Sequence, residues 1–158
     1  MKVEVLFPEV GNLCGDLMNI RYLHQCRPDM LVVETDLKSR PAFLDGSVDL
    51  VYMGSATEHG LQLMVQALRP YLAELTQFVD GGRHMLVTGN ALDALGAYVQ
   101  ADNGMHFDGL GLLPTHAEYH MMARHNSFFL GTYAGGIEVM GFKSLFGHTY
   151  GTDAPDDG

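Results

Sequence analysis

The sequence has no tryptophan and only two cysteines among its 158 residues. Cys14 and Cys26 are too few for a disulfide framework and lack the spacing of a metal knuckle, which predicts two free thiols, each a small buried apolar residue, in a reducing, cytoplasmic compartment. Cations are scarce as well. Nine Lys and Arg stand against nineteen Asp and Glu, a formal charge of −10 with histidine neutral. Nucleic-acid affinity rests on clustered cations that neutralise phosphates, so DNA and RNA are set aside as partners. Long apolar runs are also missing: the longest is four residues, where a membrane span needs about 20. No membrane span is expected, and the Met1 end lacks the apolar region of a secretory signal.

What is present is one domain's worth of chain. At this length roughly 68–70% of the unfolded surface can be buried, so a core forms without a disulfide or structural metal. Lys2 to Phe7 reads as a first strand ended by Pro8. Gly11, Asn12 and Gly15 then supply turn conformations. Asp16 is placed to cap a helix in which Leu17, Ile20 and Leu23 recur, ending near Pro28. Met30 to Val33 and Asp49 to Met53 are short apolar runs, predicted as central parallel strands covered on both faces. Apolar residues from Leu61 to Val79 mark a helical face that Pro70 breaks in two. His84 to Val87 is predicted as a fourth buried strand, followed by the turn Thr88-Gly89-Asn90 and a helical stretch over Ala91 to Val99. Beyond Gly104 the chain reads as hairpin material, with a turn at Gly135-Gly136.

Alternating strands and helices followed by hairpins predict an α/β fold: a mainly parallel sheet with flanking helices and a β-rich C-terminal half. Residues 1–150 form the expected single domain, and the acidic segment 151–158 its mobile tail. In such a sheet, ligands bind beyond the carboxyl ends of the strands. That directs attention to the loops after Phe7, Met53 and Val87. The loop after Met53, Gly54-Ser55-Ala56-Thr57, is small enough for a ligand to approach the backbone, and the loop after Val87 is a possible nucleophile elbow.

Several segments carry a family resemblance. FPEVGNLCGDLMNIRYL (Phe7 to Leu23) resembles the opening motif of class I glutamine amidotransferase domains of the cobyric acid synthase type, above all the small glutaminase subunit of lipid II isoglutaminyl synthase. DLVYMGSATEHG resembles their strand and glycine-rich oxyanion loop. GGRHMLVTGNALDALG resembles the strand, elbow and helix that carry the nucleophile. GLGLLPTH and GFKSLFGHTYG resemble two later segments, in the same order. The resemblance spans essentially the whole chain. It implies a flavodoxin-like amidotransferase domain that takes glutamine or a similar small ligand, uses no cofactor, and serves an amide-forming, Mur-ligase-like synthetase subunit in cell-wall chemistry. The ligand pocket it implies is made by Asn12, Gly15, Asp16, Asn19, Gly54, Ser55, Gly89 and Asn90, with Thr88 at the elbow.

The departures fall on the chemistry. In the family a cysteine thiolate attacks the carboxamide with a histidine as base. Here the resemblance puts Thr88 in that place, and an internal threonine hydroxyl is too weakly acidic for the task. The family's downstream segment with the catalytic histidine has no counterpart, which implies a shortened domain or a piece of a longer one. Lys143, Ser144 and Leu145 replace the family's Glu, Asn and His. A chain that has lost glutaminase chemistry but keeps a ligand- or partner-binding role is therefore expected. One alternative is a working glutaminase subunit that borrows its histidine. Another is a metal-binding module: if 116–120 is a strand, His116, Glu118 and His120 share a face, near Asp108 and His125, and two imidazoles with a carboxylate can hold Zn or Fe.

Overall fold

The computed structural model describes residues 1–151. Four parallel strands make the first sheet: β1 (Lys2–Leu6), β2 (Leu31–Thr35), β3 (Leu50–Met53) and β4 (His84–Val87), in the order β2-β1-β3-β4. Helix α1 (Met18–Cys26) joins β1 to β2. Helices α2 (Glu58–Leu68) and α3 (Leu72–Asp80) join β3 to β4. The architecture is thus α/β with a mainly parallel sheet flanked by helices, as the alternation predicts.

Helix α2 shows how sequence becomes position. Thr57 caps it, its hydroxyl accepting the Gly60 N–H at 3.1 Å, and Glu58 lies in the positively polarised first turn. Leu61, Met64, Val65 and Leu68 recur at helical spacing and are all buried. Burial of each such side chain contributes roughly 1.5–3 kcal/mol. They pack with Leu6, Val51 and Met53 of the sheet and Leu75 and Phe78 of α3. The helical pattern breaks at Pro70, where a 3-10 turn, Arg69–Tyr71, separates α2 from α3. The opposite face of the sheet carries a smaller core of Val3, Val5, Ile20, Met30 and Tyr52 under α1.

Beyond β4 come β5 (Tyr98–Ala101), β6 (His106–Asp108), β7 (Thr115–Tyr119), β8 (His125–Tyr133), β9 (Ile137–Leu145) and β10 (Gly147–Gly151). A second sheet has the order β10-β7-β5-β6, antiparallel except for the β5–β7 pair. Strands β8 and β9 form a separate hairpin with a Gly135-Gly136 turn.

Four expectations need correction. Strands β2 and β4 are the sheet's edges, and Leu31, Val32, His84 and Leu86 are exposed. An apolar run alone does not distinguish an inner strand from an edge. The helix predicted over 91–99 is a 3-10 turn, Gly89–Leu95, followed by β5. Its Asp93 is drawn into contacts with the second sheet, and Tyr98 and Val99 favour extended backbone. Both cysteines are exposed rather than buried, each a free thiol. Gly151, assigned to the tail, closes β10 opposite Thr115; the rest of the acidic tail lies outside the described residues.

Glu4 is the one charged side chain of β1 that points into the core, and it is fully buried. Its carboxylate accepts the Thr35 hydroxyl at 2.5 Å and the backbone N–H groups of Ala42 and Phe43 at 2.6 and 2.7 Å. It therefore fastens the 3-10 turn Ala42–Asp45 to the first sheet, in the connection that has no α-helix. Replacing it with alanine would strand three donors, each costing about 1–3 kcal/mol. Glu4→Ala is expected to lower stability by about 3–5 kcal/mol, read as a fall in the urea midpoint with an unchanged slope; a loss under about 1 kcal/mol would show that the turn is held some other way.

Candidate functional site

The three loops at the carboxyl ends of β1, β3 and β4 meet. After β1 the chain turns sharply at Phe7, whose backbone is left-handed (φ 56°) and whose carbonyl accepts the N–H groups of Val10 and Gly11. This brings Gly11 against Gly54, so closely that a Cβ on Gly54 would collide with the Gly11 carbonyl. Leu13 N–H donates to the Ser55 carbonyl at 2.9 Å, and the Ser55 hydroxyl donates to the Leu13 carbonyl at 3.2 Å. Asn12 accepts the Leu17 N–H at 3.0 Å and so guides the chain into α1. Gly15 completes the 3-10 turn Leu13–Gly15 with φ 85°.

Asp16 does not cap α1. Its Oδ2 accepts the Ser55 backbone N–H at 2.8 Å and the Thr88 hydroxyl at 2.8 Å. An amide N–H and a hydroxyl from two other loops outcompete the local cap, which any water can replace at a surface helix end. Tyr52 completes the cluster from β3. Its hydroxyl lies 3.0 Å from Thr88 Oγ1, donates to the Asp16 carbonyl at 2.8 Å, and accepts from Asn19 Nδ2 at 3.2 Å. Asn90 holds the neighbouring peptide on both sides, accepting the Ala56 N–H at 3.0 Å and donating to the Ala56 carbonyl at 2.8 Å.

The structure brings Asp16, Asn19, Gly54, Ser55, Thr88, Gly89 and Asn90 together, directly or through their loop neighbours, and holds Asn12 and Gly15 beside them with bonds inside the first loop. Tyr52 was missed. A lone hydroxyl in the apolar run Leu50–Met53 is the signal that would have found it, because a buried phenol needs a partner.

Electrostatically the cluster is settled. Partial burial pushes the Asp16 carboxyl up, but hydrogen bonds from Ser55 and Thr88 more than reverse this and hold it below the usual carboxylate range. Such a carboxylate is a weak base. Among the described residues no cation pairs with it. The backbone N–H groups of Ser55 and Ala56, in the loop that resembles an oxyanion loop, already have acceptors in Asp16 and Asn90.

The turn after β4 has a specific geometry. Thr88 is extended (φ −121°, ψ 147°), and its side chain caps nothing. The left-handed residue is Gly89, φ 54°, and a Cβ there would lie 2.8 Å from the Ser55 Cβ. No side chain fits above the sheet at that point without moving Ser55.

A second polar cluster was not foreseen. Asp93, in the turn that follows, accepts the Tyr119 hydroxyl at 2.7 Å and the Thr149 hydroxyl at 2.7 Å, tying the first sheet's loop to β7 and β10. Burial raises the Asp93 carboxyl despite these donors, and burial together with the Asp93 charge drives the Tyr119 phenol far up.

The histidine-rich segment disperses. His116 stacks between Tyr98 and Tyr150, with ring centroids 4.9 and 5.4 Å away, and lies 3.7 Å from Glu118. His120 falls past the end of β7 and faces Asp102 at 3.8 Å. Asp108 lies 3.8 Å from His106, and His125 sits on His148. Among the described residues no group of three His, Cys, Asp or Glu side chains is placed to hold a metal ion. Nor, among them, is any helix long and apolar enough to cross a membrane. A groove of about 440 Å³ lies elsewhere, between α1 and the β2 edge, lined in part by Leu17, Arg21, His24 and Glu34.

No protein-family model matches the chain, and no curated protein matches it.

The two carboxylates have opposite pH signatures. Asp16 is held below its ordinary 3.8, so its contribution is complete above that pH and is lost as pH falls through the lower folded value. Asp93 is raised above 3.8, so its contribution is complete below that pH and is lost as pH rises through the higher folded value. In urea unfolding between pH 3 and 6, Asp16→Asn is therefore expected to flatten the acid loss of stability and Asp93→Asn to steepen it. The same change of slope in both variants would contradict the assignment.

Proposed function

We propose that this chain is a class I glutamine amidotransferase-like domain of flavodoxin-like architecture whose glutaminase chemistry is gone, and that it serves as a binding subunit. Its partner is an amide-forming synthetase of the Mur-ligase kind, and glutamine or a similar small molecule is the ligand class. The four-stranded parallel order, with candidate residues gathered at the strands' carboxyl ends, supports the architecture.

The observation that carries the loss is the turn after β4. A nucleophile elbow holds its reactive residue on a sharp, strained strand-to-helix turn. By backbone geometry that position is Gly89, which has no side chain. By resemblance it is Thr88, whose hydroxyl proton is donated to a carboxylate too acidic to take it away. On either assignment no group attacks. Asp16 and Asn90 also occupy the N–H groups that would steady a tetrahedral oxyanion, so the stabilising half of the chemistry is filled from within.

Ammonia release from glutamine tests this, measured for the protein alone and together with the product of any adjacent synthetase gene. The wild type, Thr88→Ala and Gly89→Cys are all expected to stay at the buffer rate. Turnover that survives Thr88→Ala and disappears in Cys14→Ala would overturn the proposal, as would a mass increase after exposure to a glutamine-like electrophile of a Cys14→Ser, Cys26→Ser chain, which lacks the two exposed thiols.

A further inference from the structure

Among the described residues, nothing covers the outer part of the β8–β9 hairpin. Every residue from Phe128 to Met140 is exposed, and an isolated two-stranded hairpin is at best marginally stable in water. Directly opposed residues and residues two apart share a face. The register pairs Phe128 with Phe142 and Leu130 with Met140, which puts these four on one face together with Asn126, Thr132, Glu138 and Ser144. They are 80%, 57%, 72% and 78% exposed, and the two phenylalanine rings already meet edge-on at 5.3 Å. The opposite face is apolar at its tip too, with Tyr133, Ile137 and Val139 exposed, but Phe129 lies over Gly141 and its base, with Ser127, Lys143 and Leu145, is half-buried against the chain.

We infer that the Phe128, Leu130, Met140 and Phe142 face of this hairpin is a self-association surface, packed against the same face of a second copy of the chain. Charge favours that occupant. With His125 neutral, residues 125–145 carry only Glu138 and Lys143, a net charge of 1 − 1 = 0, in a chain of net −10. Two copies meet here with the least repulsion, whereas a basic partner would be drawn to the acidic remainder. Nine residues of strand extend about 30 Å, well beyond the ~8–10 Å screening length of physiological salt. A two-fold pairing, tip to base, keeps the acidic bodies that far apart. It also sets Glu138 of each copy against Asn126 and Ser144 of the other, so that a carboxylate meets an amide and a hydroxyl instead of a like charge.

The area suffices for a modest dimer. At roughly 200 Å² per large side chain, the four residues offer about 500–600 Å² from each copy, and the flanking polar residues bring this towards the ~800 Å² per partner of a standard interface. Sheet faces packed in this way cross at about −30° and interdigitate, and a surface paired with itself closes as a dimer and does not propagate.

Sedimentation equilibrium of the full chain across a hundredfold range of concentration tests the inference. A reversible monomer–dimer equilibrium is expected for the wild type. Leu130→Lys with Met140→Lys should weaken it at least tenfold while far-UV circular dichroism is unchanged; Ile137→Ser on the opposite face should leave it intact. If the double variant loses its strand signal, Met140→Cys in a Cys14→Ser, Cys26→Ser background gives a second reading. A bis-maleimide reagent long enough to bridge faces packed about 10 Å apart should then join two copies covalently in proportion to dimer, since the two introduced thiols face each other's neighbours and not one another. A wild type that stays monomeric throughout the range would overturn the inference. So would a dimer indifferent to the face charges, or a hairpin that instead binds an amide-forming synthetase one-to-one as a monomer.

Discussion

The carboxylate of Asp16 is where the three loops at the head of the parallel sheet are joined. One oxygen accepts an N–H from the loop after β3 and a hydroxyl from the loop after β4, while Asp16 itself belongs to the loop after β1. Each loop alone is a short turn free to move. With the carboxylate between them they form one unit, and Tyr52 locks it from below through Thr88 and the Asp16 carbonyl. Because the anion is supplied by the chain, the Ser55 N–H and the Thr88 hydroxyl are already satisfied from within.

The buried Glu4 does for the sheet's other connection what Asp16 does for its head. Both are carboxylates satisfied by backbone N–H and a threonine hydroxyl, and among the described residues neither pairs with a cation. In an acidic chain with few Lys and Arg, hydrogen-bond donors of the backbone take the part that cations play elsewhere. The difference lies in burial: Glu4 is sealed inside the core, whereas Asp16 keeps contact with solvent at the loops.

Much of this was legible in the sequence, for identifiable reasons. The strand–helix alternation and the break at Pro70 are local signals, and the parallel sheet follows from them. The gathering of Asn12, Asp16, Ser55, Thr88 and Asn90 follows from one topological rule about strand carboxyl ends. What escaped is what depends on distant partners. Nothing local marks β2 and β4 as edges. Asp93 leaves a helical pattern for hydroxyls 26 and 56 residues away. His116 and His120 alternate as a strand would, yet β7 ends at Tyr119, so His120 turns towards Asp102. The sulfur expected to be hidden at Cys14 is exposed because the loop that carries it is left-handed at that residue.

The contact between Gly89 and Ser55 has an evolutionary consequence. Any side chain at position 89 needs a smaller neighbour first, since its Cβ would come within 2.8 Å of the serine's. Shrinking Ser55 alone gains nothing while position 89 is bare, and filling position 89 alone forces two loops apart. Occupying position 89 thus requires two changes, neither favourable by itself, and the contact acts as a ratchet that keeps this turn bare.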